Sequence, residues 1–137
     1  MEQVLRMHRA NPASLDLPGL VECIQECFSC AQMCSACADA CLGESNVDML
    51  KTCIRLNLDC ADICSATGHV LSRENEVDWL VVRDLVQACY TACQQCADEC
   101  TQHAGHHKHC ELCAEACHRC AETCRSIMAN VPVSTPF

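Results

Sequence analysis

Eighteen cysteines among 137 residues make about 13% of the chain, above the roughly 8–10% that marks disulfide-rich secreted scaffolds. Yet Met1 to Arg9 holds no apolar run of signal-peptide length, and no stretch reaches the ~18 apolar residues of a membrane span. The expectation is a cytoplasmic chain with reduced thiols, where dense cysteine reads as metal binding before disulfides; the net charge of −9 disfavours nucleic acid and anionic membranes.

In chain order, residues 1–17 read as a leader, a short helix or disordered segment, broken by Asn11-Pro12 and closed by Pro18-Gly19. A first helix is expected near 19–42, with Gly43 after it as a C-cap. Ser45-Asn46-Val47-Asp48 resembles a capping box opening a second helix near 46–72. The stretch Ser72–Asn75, with Asp78 shortly after, marks a stop and a start before a third helix near 76–103. Gly105 separates it from a fourth near 106–129, and Pro132 begins a tail over 132–137. Short connections between long helices predict an all-α fold, an antiparallel up-down-up-down four-helix bundle forming one domain over 18–131.

The cysteines mark one face of each helix. They stand at Cys23, Cys27, Cys30, Cys34, Cys37 and Cys41; at Cys53, Cys60 and Cys64; at Cys89, Cys93, Cys96 and Cys100; and at Cys110, Cys113, Cys117, Cys120 and Cys124. Steps of four and three alternate, the 3.5-residue period of a bundle seam. Asn57 fills the seam slot between Cys53 and Cys60. Four such seams facing inward predict a lumen lined with thiols. Pure packing explains this poorly, because Leu or Ala would fill the same space without the risk of oxidation. Disulfides explain it poorly too, since side chains at i and i+4 on one helix run nearly parallel.

Soft thiolates select Cu(I), Zn(II) or iron–sulfur clusters. Tetrahedral zinc needs four converging ligands, usually from loops, and a helical turn presents two. Iron–sulfur clusters also sit in wrapping loops; the Cys-x-x-x-Cys-x-x-Cys copies at Cys23/Cys27/Cys30 and Cys89/Cys93/Cys96 resemble a radical-SAM signature, but the chain is too short for that barrel. Cu(I) is satisfied by two or three thiolates, each displacing a proton, so filling at about one ion per cysteine leaves the lumen near neutral.

Repeated Cys-x-x-x-Cys and Cys-x-x-Cys steps over residues 20–128 resemble the bacterial copper storage proteins, cysteine-rich four-helix bundles. The resemblance is to their cytosolic branch. It implies a homotetramer that loads many Cu(I) ions in each bundle, with the eighteen cysteines as ligands and no catalysis. The alternatives from other classes are an iron–sulfur or thiol-redox protein and a metallothionein-like buffer of Zn(II) or other thiophilic metals. A delivery chaperone would need far fewer thiols.

The seams end differently. Leu20, Thr67, Leu71, Trp79, Val82, Val86, Ile127 and Met128 gather at one end as an apolar plug. The opposite end collects Cys41, Asn46, Met49, Leu50, Cys53, Cys100, His103, His106 and Cys110, with His107 and His109 close by. That end is the expected copper entrance. His103 and His106, which continue the seam register, are the best non-cysteine ligands, and Asn57 caps a site or satisfies a local hydrogen bond. Met49, His107 and His109 are left open as ligands. His8, His69 and His118 are expected at the surface, Val81 and Leu112 on exposed apolar positions available to an oligomer.

Overall fold

The computed structural model of the chain describes residues 1–8 and 16–132, the side chains of 6–8 excepted. His8, as a side chain, and residues 133–137 of the expected tail therefore lie outside the described parts. A short helix α1 (Glu2–His8) precedes four long ones, α2 (Leu17–Leu42), α3 (Lys51–Leu71), α4 (Trp79–His103) and α5 (Lys108–Met128), with a 3₁₀ turn at Val47–Leu50. Helix α2 packs on α3 and α5, and α4 packs on the same two, so the four close into a ring around a common lumen. The expected all-α bundle is what the chain forms.

Local chemistry fixes where each helix starts. The Asp16 carboxylate accepts from the Gly19 N–H at 2.8 Å, with Pro18 in the first turn where a missing N–H costs nothing. Gly43 closes α2 by donating to the Ala40 carbonyl, and does so in a right-handed conformation. The capping box expected at Ser45–Asp48 does not form. Asn46 makes no side-chain cap bond; the Met49 N–H reaches the Asn46 carbonyl at 2.9 Å and winds the 3₁₀ turn, so α3 begins only at Lys51. The third long helix also starts later than expected, at Trp79 rather than 76. Glu76 adopts a φ of 53°, which no helix accommodates, and Asp78 caps the helix by accepting from the N–H groups of Leu80 and Val81.

The seam positions form the core. All eighteen cysteines have no exposed surface, and Asn57 is buried equally. The plug is apolar as expected: Leu20, Leu71, Val82, Val86 and Ile127 are each at most 4% exposed, with Trp79 half-buried beside them. The buried Thr67 hydroxyl donates to the Ile63 carbonyl at 2.7 Å, so its polarity is met within its own helix. Outside the ring, Phe28 of α2 lies against α3 at Gly68, where a Cβ would stand 2.7 Å from the ring. Glycine at 68 is what lets the aromatic close that groove.

Candidate metal centre

A helical turn takes about 3.6 residues, so i and i+4 cysteines on one seam sit almost above one another. Cys30 and Cys34 bring their sulfurs to 3.8 Å, as do Cys60 and Cys64. Contacts between helices are just as close: Cys34 to Cys117 is 3.6 Å, Cys64 to Cys93 is 3.6 Å, Cys53 to Cys100 is 3.8 Å and Cys27 to Cys120 is 3.8 Å. Every cysteine is a free thiol. With metal–sulfur bonds of about 2.3 Å, two sulfurs on one trigonal ion stand about 4 Å apart. The spacing therefore suits bridging ions with little movement of the helices.

Ligand atoms gather along the whole lumen. Starting at the plug, Cys27, Cys89, Cys120 and Cys124 form one group whose sulfurs all lie within 4.8 Å of one another. Next come Cys30, Cys64, Cys93 and Cys120, then Cys30, Cys34, Cys60 and Cys117, then Cys34, Cys96, Cys113 and Cys117. Groups share members, so the lumen is a continuous lattice of sulfur rather than a set of isolated sites. Each of these four draws on at least three helices, which explains why the sequence shows only pairs.

Asn57 bridges this lattice with both ends of its amide. Its Oδ1 accepts from Cys113 at 2.9 Å and from Cys96 at 3.3 Å. Its Nδ2 donates to the Cys53 carbonyl at 2.8 Å and to the Cys53 and Cys100 sulfurs at 3.3 and 3.5 Å. It is thus a seam residue with its oxygen turned to two thiols.

Electrostatics keep most sulfurs protonated without an ion. The Cys110 thiol is pushed up to about 12, first by burial and then by the neighbouring Cys41 and Cys100. Cys34, Cys64, Cys93 and Cys117 are pushed up as well, through hydrogen bonding with the sulfurs of Cys113 or Cys120 foremost, with burial adding to it. A sulfur that receives several thiol protons behaves oppositely: Cys23 is held down to about 4, chiefly by hydrogen bonds from Cys124 and Cys27. A monovalent soft cation that replaces thiol protons relieves the burial penalty sulfur by sulfur.

At the end away from the plug, the outermost group is Cys37, Cys41, His109 and Cys110. The thiols there are fully buried, and histidines rather than sulfurs meet solvent. His109 places Nδ1 3.4 Å from the Cys37 sulfur and 3.6 Å from that of Cys110. The sequence-preferred histidines sit differently. His103 is largely buried but turns Nε2 to the Glu99 carboxylate at 2.8 Å, and His106 is exposed. Seam register predicts direction only while the helix continues, and α4 ends at His103, so His106 lies in the turn. Met49 is 74% exposed on the 3₁₀ turn, and His69 and His118 are exposed as expected.

A profile of the copper storage proteins matches residues 18–129. The chain belongs to the copper storage protein family. Storage by core cysteine thiolates is a binding role, so within this family the chain is no enzyme. No curated protein matches it. Among solved structures, it is similar to the Streptomyces lividans copper storage protein loaded with ten copper equivalents, at 48% identity and a TM-score of 0.91, over 94% of this chain and 98% of that one. A cytosolic copper storage protein of the same organism, loaded with five coppers, is 51% identical with a TM-score of 0.81, covering 82% of this chain and 94% of the other. The Cu(I)-bound copper storage protein BsCsp3 is 37% identical with a TM-score of 0.68, over 77% and 94% of the two chains. The copper storage fold thus accounts for the four seams and for the sulfur lattice they enclose.

Proposed function

We propose that this chain stores Cu(I) in the cytoplasm at about one ion per thiolate, with all eighteen cysteines as ligands and residues 18–131 as the storage domain between a leader and a tail. The observation that carries this is the shared-membership lattice: sulfurs such as Cys30, Cys34 and Cys117 each belong to more than one four-ligand group, as bridging thiolates must. The Asn57 oxygen joins the ligands midway along the lumen. At the far end His109 takes the outermost ion into the lumen, and His103 and His106 are first contacts on the way in, weaker and more exchangeable than thiolate. Cytosolic placement is supported by the likeness to the cytosolic Streptomyces protein. A homotetramer, implied by the family resemblance, is supported by the exposed apolar side chains of Leu80, Val81 and Leu112, each 43–51% exposed.

Anaerobic titration of the reduced chain with Cu(I) against a competing chelator tests this. Saturation near one ion per cysteine is expected, with Zn(II) saturating well below it. A plateau under about six Cu(I) ions per chain contradicts bulk storage. In the same titration the double replacement His103→Ala/His106→Ala slows uptake and leaves capacity intact; a large fall in capacity sinks their role as mere first contacts.

A further inference from the structure

One carboxylate at the mouth touches two imidazoles. Glu44 lies in the turn just after α2, next to Gly43, and its N–H is tied to the Cys41 carbonyl at 3.2 Å. Its Oε1 stands 3.3 Å from His109 Nε2, and its Oε2 stands 3.3 Å from His107 Nδ1. The two rings stack with centroids 5.3 Å apart. Glu44 therefore joins the end of α2, which carries Cys37 and Cys41, to the start of α5, which carries His109 and Cys110.

An ionised carboxylate only accepts hydrogen bonds, so the ring nitrogen facing it carries the proton. For His109 this is Nε2. In the neutral ring the lone pair is then on Nδ1, the atom turned to Cys37 and Cys110. For His107 the carboxylate lies 3.3 Å from Nδ1 as an ion-pair contact, and Nε2 is a buried atom without a hydrogen-bond partner. Histidines that bind metals commonly donate their other N–H to such a carboxylate, which fixes tautomer and ring orientation.

We propose that Glu44 is a positioning residue: it selects the Nε2–H tautomer of His109 and so presents Nδ1 to the outermost copper beside Cys37, Cys41 and Cys110. This rests on the reading of that group as a copper site. Two measurements separate the two ideas. In copper-free, reduced protein labelled with ¹⁵N in histidine, the ring shifts of His109 report the tautomer without any ion. Wild type is expected in the Nε2–H form; Glu44→Ala shifts the population toward Nδ1–H, and Glu44→Gln, which keeps an acceptor oxygen, restores much of it. On titration with Cu(I), Glu44→Ala weakens the ion held beside His109 about 10–100-fold with total capacity unchanged, and Glu44→Gln lies between it and wild type. Glu44 is a third exposed and sits in a turn, so the helix content of both variants should match wild type. An unaltered His109 tautomer in Glu44→Ala overturns the proposal. So does a wild-type His109 ring whose shifts stay put through saturation, and in that case the total number of ions bound still decides, separately, whether the thiols store copper.

Discussion

Asn57 shows how much a single seam residue can carry. Its oxygen is the acceptor for two thiols and its amide nitrogen spans a carbonyl and two sulfurs. Asn57→Ala strands the donors of Cys96 and Cys113 in the core, a loss of about 1–3 kcal/mol. Chemical denaturation of the reduced, copper-free protein should show it, with copper capacity changed by about one ion or less; undiminished stability would argue that the amide bonds contribute nothing net. The position was legible in the sequence because the heptad count runs straight through it. The role of its two ends was not, since Cys96 and Cys113 come from helices that no spacing rule ties to α3. His109 was harder still. It stands one residue off the seam, and it reaches Cys37 only because the turn at 104–107 sets where α5 begins.

Helices as units were easier to read than their ends. Steps of three and four are a property of the helix itself, so every cysteine expected in the lumen is there. Starts depend on backbone detail: the left-handed Glu76 and the Asp78 cap delay α4, and the 3₁₀ turn at Val47–Leu50 replaces a capping box whose residue types were right. Pairing of helices has its own marker in Gly68. Gly68→Ala would drive a methyl into the Phe28 ring, which must turn out of the groove and give up its packing there, costing about 1 kcal/mol. Thermal melts of the copper-free protein should register the drop, and adding Phe28→Ala to Gly68→Ala should relieve the clash, so the pair costs less than the sum of the two single changes. Strict additivity would mean the contact is not the cause.

The whole molecule has a core of protons waiting to be exchanged, and this makes its stability depend on pH. Cys110 moves from an ordinary 9.0 to about 12 on folding, and Cys34, Cys64, Cys93 and Cys117 move the same way. A group raised on folding is favoured as the thiol. Its contribution is complete below about pH 9 and is lost as pH rises through its folded value. Sulfurs held down, such as Cys23, are ionised in both folded and unfolded chains above pH 9 and add no slope there. Copper-free, reduced protein should therefore show a Tm that falls steadily from about pH 9 toward about 12. The copper-loaded form, its thiol protons already gone, should be far flatter, and equal slopes for the two forms would count against thiol burial as the cause.

Leu20, Leu71, Val82, Val86 and Ile127 stop the bundle as a cork stops a tube. If copper enters past the histidines as proposed, the corked end offers it no matching opening among the described residues, so loading and release share one mouth. On that reading, copper lodged by Cys23 and Cys124, against the cork, lies farthest from the mouth, and copper beside Cys37 and Cys110 lies nearest to it. Five apolar side chains with no ligand atom to offer thus give the bundle a direction, from an imidazole-rimmed mouth to a blind, thiol-lined end.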